Sequence, residues 1–308
     1  MTGETLKGHI AAISMNVIFG LNIPVTKSLL SDWMSPMGYT LTRMLFGLTV
    51  FWIIGFFQKR EKVPFKDLMI IFLCGLLGLT AMQVSFAVGL RYTTPVTYSL
   101  IMALVPIVVM LLSALFIKES ITFYKAIGVL LGLSGASIII IQGNGNNSVN
   151  TTFGILVAIA GVICYSCYLI LTRKISAKYS PVTIMKWMFL VSVIVLLPFG
   201  YQELPQQRIY SSEATWTAIS GLIFALLFSS VIAFFLTPVA LKRIKATTVS
   251  IYGNLQPMVA SSVAVFIGQD IFGWEKLLAL LLVLTGVYLV TQSGLRPFRP
   301  AKKSHNTY

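Results

Sequence analysis

Apolar residues along this chain of 308 residues fall into ten long runs, separated by short polar or basic breaks. The runs lie at roughly 9–29, 36–57, 67–90, 94–117, 122–141, 153–174, 181–201, 215–240, 246–267 and 274–294. Each approaches the length of about 20 residues at which a helix crosses the hydrocarbon of a bilayer. Local signals mark several starts. Ser35-Pro36, Thr94-Pro95 and Ser180-Pro181 place a capping hydroxyl directly before a proline, and proline suits the first helical turn because its missing N–H has no partner to lose there. The pattern predicts an all-α membrane protein with ten transmembrane helices. The polar stretch 142–152 has no apolar face to bury and reads as a linker. It separates a first five-helix repeat, 1–141, from a second, 153–294, which a basic tail follows at 295–308.

The two halves are related. Shifting the chain by 151 residues sets Pro106 on Pro257, Lys125 on Lys276 and Gly135 on Gly286, with Glu119 against Asp270. Between Ala87 and Ile141 this shift gives 12 identities over 55 pairs. Five spans are an odd number, so the copies must run through the membrane in opposite senses: a 5+5 inverted-topology repeat. In transporters built that way the binding site lies near the bilayer midplane, where the repeats meet.

Composition agrees. Charged residues make up 10% of the chain, hydrophobic residues 56%, and mean hydropathy is +0.86, whereas soluble domains carry roughly 25% charged residues. A net charge of +14 raises nucleic acid as a partner, but the basic residues sit in short clusters between apolar runs. With the N-terminus inside, 17 of them fall on the inner face and three, Arg91, Arg208 and Lys276, on the outer face. That bias puts both termini in the cytoplasm, as for a protein of a bacterial inner membrane. The expected partners are therefore a small-molecule substrate and the lipid bilayer, not nucleic acid. Cys74, Cys164 and Cys167 all lie within apolar runs, so no disulfide framework is expected.

Several stretches resemble EamA-type permeases of the drug/metabolite transporter superfamily. They are Phe19-Gly20-Leu21-Asn22, Leu41-Thr42-Arg43, Ala87-Val88-Gly89-Leu90, and the block from Pro106 through Phe116-Ile117-Lys118-Glu119 to Gly128 and Gly135, with a weaker copy around Pro257, Asp270 and Gly286. The resemblance covers residues 9–294. It implies ten helices, a cavity between the halves, and movement of small metabolites, commonly amino-acid export.

Polar groups inside spans are the candidates for contact with cargo, because hydrocarbon penalises them. Three cations lie within spans: Lys27, Lys186 and Arg43. Lys27 and Lys186 are near span ends and read first as interfacial anchors. Arg43 lies seven residues past Pro36, roughly 10 Å deep at 1.5 Å per residue. Burial there costs about 2.5–3.5 kcal/mol on insertion scales. Two roles stand open for it, a structural clamp and a carboxylate-binding group. The uncharged substrate-binding candidates are Asn16, Asn22, Gln83, Asn254 and Gln256, with Tyr98 and Tyr168 as aromatic walls. For the amides the competing role is an interhelical hydrogen bond of about 0.6 kcal/mol. Pro24, Pro106 and Pro257 would each free the carbonyl four residues earlier and kink a span. They read as gating elements, against simple packing kinks.

The nine acids all fall in loops, tails or helix ends, and neither histidine lies within a span. A buried carboxylate proton relay is thus not expected. Zinc-protease and phosphate-loop motifs are lacking too, so neither an enzyme nor a cofactor or metal is expected. The leading expectation is an alternating-access transporter moving amino acids or related carboxylate-bearing compounds outward. A nucleotide-sugar or phosphorylated-metabolite exchanger is the nearest alternative, and a membrane scaffold or sensor that transports nothing is the other.

Overall fold

The computed structural model describes residues 3–117, 149–269 and 273–293, with isolated positions between 123 and 138. Among the described residues every regular element is a helix. In chain order these are α1 (Gly3–Asp32), α2 (Pro36–Phe56), α3 (Phe65–Tyr92), α4 (Pro95–Met102), α5 (Val105–Ile117) and α6 (Val149–Ser176). They continue as α7 (Pro181–Gly200), α8 (Trp216–Arg243), α9 (Ala246–Tyr252), α10 (Leu255–Phe266) and α11 (Trp274–Ser293). Among the described residues seven stretches are long and apolar enough to cross a membrane: α1, α2, α3, the α4–α5 stretch, α6, α7 and α8. The fifth expected span, apart from isolated helical positions, lies outside the described residues, as do the linker through 148 and the tail. Helix α6 begins at Val149, so the last four residues of the expected linker form its first turn.

The three hydroxyl–proline starts form as read. Ser35 Oγ accepts from Gly38 N at 3.0 Å, Thr94 Oγ1 from Thr97 N at 3.2 Å, and Ser180 Oγ from Thr183 N at 3.3 Å. Two of these caps also tie the halves together. Ser35 Oγ donates to Glu203, just beyond the end of α7. The Ser180 N–H and hydroxyl donate to Glu61, beyond the end of α2. Helices α2 and α7 therefore lie antiparallel, each braced by the loop that leaves the other. Between the ends, Phe51 stacks on Phe189 at 5.4 Å. Gly47 lets the helices close, because a Cβ there would overlap the Phe189 ring.

Two irregularities repeat in both halves. The first is a break: α4 ends and α5 begins across Ala103–Leu104, and α9 passes to α10 across Gly253–Asn254. Pro106 and Pro257 follow these breaks. The sequence suggested continuous helices whose prolines free the carbonyls of Met102 and Gly253. At the second break the chain forms a tight turn instead, and the Gly253 carbonyl accepts from Gln256 N at 3.0 Å. Pro24, by contrast, stays inside an unbroken α1. The second irregularity is π-helical geometry, at Leu76–Ala81 within α3 and at Ala225–Ala233 within α8. The 151-residue shift carries 76–81 onto 227–232, inside the second stretch. π turns widen a helix locally and concentrate at functional sites.

Candidate functional site

The centre of the bundle holds a cavity walled from both halves. Phe19 and Asn22 come from α1, Arg43 from α2, Gln83 from α3, Tyr98 from α4, Tyr165 from α6, Ser229 and Phe234 from α8, and Gln256 from α10. Its free volume is about 30 Å³, room for roughly two waters at about 10–15 Å³ each by this measure. That free space is too small for a metabolite.

Arg43 dominates it. The side chain is 1% exposed, yet each of its nitrogens reaches a neutral oxygen: Nε donates to Ser230 Oγ at 2.8 Å, one terminal nitrogen to Gln83 Oε1 at 2.7 Å, and the other to Ser229 Oγ at 2.9 Å. The guanidinium lies 5.2 Å from the centre of the Tyr39 ring, one helical turn earlier, where a cation meets the negative face of the ring. Hydrogen bonds from a charged group contribute about 1.5–3 kcal/mol each, enough together to offset the insertion cost of the arginine. Among the described residues no carboxylate pairs with it. The result is a fixed positive charge at the chamber wall, held by dipoles that an anion could replace.

Ser229, Ser230 and Tyr39 were not among the residues singled out in the sequence. Both serines lie on the π-helical stretch of α8, and Ser230 Oγ also donates to Ala225 O, five residues back, at 2.9 Å. The only sequence signal for them is a serine pair inside an apolar run.

The chamber gathers five of the eight substrate-binding candidates: Asn22, Arg43, Gln83, Tyr98 and Gln256. Asn22 Oδ1 and Tyr98 Oη are buried there with no hydrogen-bond partner among the described residues. Asn16 stands one step behind the wall. Its Oδ1 accepts from Gln256 Nε2 at 2.7 Å while its amide donates to Ala12 O at 2.7 Å, so it links α1 to α10. Asn254 sits at the break between α9 and α10, away from the wall. Tyr168 also lies off the wall, stacked on Tyr165 at 5.7 Å. Of the prolines, Pro24 receives Gln269 Nε2 on its carbonyl at 3.1 Å, while Pro106 and Pro257 open α5 and α10.

The other two cations within spans are accounted for by local contacts. Lys186 lies 5.6 Å from the ring centres of both Trp52 and Trp187, the aromatic setting of an interfacial anchor. Lys27 differs from its expected role at the headgroups. Its ammonium donates to the carbonyls of Leu90, Arg91 and Thr93 at 2.6–3.2 Å, so it caps the C-terminus of α3, where the helix dipole favours a cation.

The profile of the EamA-like transporter family matches the chain twice, over residues 6–141 and 152–292. The chain belongs to that family. This EamA-like protein is accordingly a multi-pass membrane transporter and not an enzyme. It is 24% identical over 291 residues to YyaM, an uncharacterised transporter of Bacillus subtilis, covering 93% of each chain. It is 28% identical over 207 residues to a probable terminal-alkyne amino-acid exporter of Streptantibioticus cattleyicolor, covering 66% of this chain and 67% of that one. One solved crystal structure superposes with a TM-score of 0.64 at 17% identity, covering 95% of this chain and 98% of the other. At that identity the likeness concerns the fold.

Proposed function

We propose that this EamA-like transporter moves small carboxylate-bearing metabolites, amino acids foremost, outward across a bacterial inner membrane by alternating access. The single observation that carries this reading is the Arg43 guanidinium at the chamber wall, deeply buried and, among the described residues, hydrogen-bonded to neutral oxygens alone. A cargo carboxylate would replace those weaker partners with a charge-assisted, two-pronged pair. Asn22 Oδ1 and Tyr98 Oη would meet the polar remainder of the cargo. The exporter among the relatives supports the direction and the amino-acid class.

The architecture we propose is ten helices in an inverted 5+5 repeat, with both termini cytoplasmic and the halves rocking around the chamber at Pro24, Pro106 and Pro257. The antiparallel, reciprocally braced α2 and α7 support the inversion. Because no acidic side chain among the described residues lies on the chamber wall, transport without a buried carboxylate relay fits the site. A nucleotide-sugar or phosphorylated-metabolite exchanger fits less well, since Arg43 is the one cation on that wall among the described residues.

The test is a thermal-shift screen of purified protein against amino acids, their uncharged esters, nucleosides and sugar nucleotides. Free amino acids should raise the melting temperature and the esters should not. Arg43→Ala should abolish the shift, and Arg43→Lys should recover only part of it. Stabilisation by sugar nucleotides alone would overturn the cargo class. Proteoliposome flux that requires a pH gradient and moves protons with cargo would overturn the uncoupled mechanism.

A further inference from the structure

Four helices continue past the chamber toward the end of the bundle that carries Asp67 and Arg243, and their residues stay in step. Phe19 of α1 meets Phe234 of α8 edge-on at 5.4 Å, and Met15 Sδ receives the Thr237 hydroxyl at 3.4 Å. On α6 the step runs from Tyr165, at the chamber wall, to Tyr168, which is 0% exposed. On α3 it runs from Gln83 to Gly78, within the π-helical stretch. Tyr168 fills the centre of this layer. Its ring lies against Gly78 so closely that a Cβ there would overlap it.

The layer contains polar groups that closed packing leaves unmatched. Tyr168 Oη, Thr172 Oγ1 and Thr80 Oγ1 are buried and make no close hydrogen bond among the described residues; the nearest groups to Tyr168 Oη are the Thr172 and Thr237 hydroxyls, too loosely placed to satisfy it. A buried hydroxyl in that condition costs about 1–3 kcal/mol, and such groups in native proteins call for a reason. Tyr168 and Thr172, four residues apart, share one face of α6 below the chamber, a place where water or a polar solute would find donors and acceptors. The Tyr168 ring fills that place, seated in a notch at Gly78. The notch exists because Gly78 carries no side chain, and it falls on a π turn, a geometry frequent at functional sites.

We propose that Tyr168 is the movable plug between the chamber and the end of the bundle that holds Asp67 and Arg243, seated by Gly78, with Thr172 lining the passage it closes. The ring leaves its notch when that face of the transporter opens, and the orphaned hydroxyls then acquire partners. This rests on the chamber being the transport route. It does not depend on which cargo Arg43 holds.

A native reporter makes the plug testable without knowing the cargo. Cys74 lies on α3 one turn below Gly78 and is 1% exposed. A thiol reacts with a charged reagent only when it reaches water as thiolate. In a Cys164→Ser/Cys167→Ser protein, Cys74 labelling by a membrane-impermeant methanethiosulfonate is followed in right-side-out and inside-out membrane vesicles. Tyr168→Ala and, independently, Gly78→Ala should each speed labelling at least tenfold from the cytoplasmic face only, while Tyr168→Phe, which keeps the ring, should stay within twofold of the parent. Unchanged rates in both variants would overturn the plug, as would acceleration from both faces, the mark of a loosened bundle. If Arg43→Ala lost no binding while these rates still changed, the carboxylate reading would fail and the plug would stand.

Discussion

The π-helical stretches of α3 and α8 occupy matched positions in the two halves, yet they present different chemistry. In α3 the stretch offers Gly78, and an aromatic ring from α6 fills the space. In α8 it offers Ser229 and Ser230, and both hydroxyls accept from Arg43. The same backbone irregularity thus serves once to make room and once to aim two oxygens inward. Duplication supplied the geometry. Single side chains then decided whether the widened turn receives a bulky group or holds a charge.

The largest effect on this contrast should come from Ser229→Ala/Ser230→Ala, which leaves the buried guanidinium with Gln83 as its one remaining hydrogen-bond acceptor of the three. Unmet hydrogen-bond demand of about 1–3 kcal/mol per lost partner should lower the unfolding free energy in detergent by roughly 3 kcal/mol. Adding Arg43→Met should recover part of that loss, because the charge goes with its demand. A loss under about 1 kcal/mol would mean that the serines do not hold Arg43. On the other stretch, Gly78→Val should cost about 1–3 kcal/mol by overpacking, and Tyr168→Ala in the same protein should relieve most of it. If the two substitutions simply add, the ring and the notch are not coupled.

Smaller effects follow where the halves touch. Gln256→Leu removes the donor to Asn16 and should destabilise by about 1 kcal/mol, read as a fall in melting temperature that Asn16→Leu does not deepen. The smallest concerns the brace at the start of α7. Burial works against the charge on Glu61, but hydrogen bonds from Thr183 and Ser180 prevail and hold its pKa below the ordinary value of 4.5. A carboxyl depressed in the folded state contributes stability above the unfolded pKa and loses it as pH falls through the lower, folded value. The melting temperature should therefore decline below about pH 4.5 more gently in Glu61→Gln than in the parent. Parallel curves would remove Glu61 from the brace.

The parts of this fold legible in the sequence are those set by local chemistry. The hydroxyl–proline starts at Ser35, Thr94 and Ser180 needed nothing beyond their neighbours. Arg43 stood out because a charge so deep demands an explanation. Its partners stayed hidden, since Ser229 and Ser230 reach it only through a π turn, and no residue type marks such a turn. Lys27 looked like an anchor because the carbonyls it caps are more than sixty residues away in the chain. The breaks before Pro106 and Pro257 were read as kinks because proline predicts a lost hydrogen bond. Whether the helix bends or stops there depends on what packs around the turn.

The crossed ties at the two ends of the α2–α7 pair carry a mechanical consequence. A pair fastened top and bottom cannot splay at one end without straining its own fastening, so it behaves as a strut of constant length and tilt. Under the alternating access proposed above, the other helices would swing about it, and a swing that parts them on one side of the bilayer would bring them together on the other. The serine and glutamate at each end would in this way hold the fulcrum on which the leaflet-facing openings trade places.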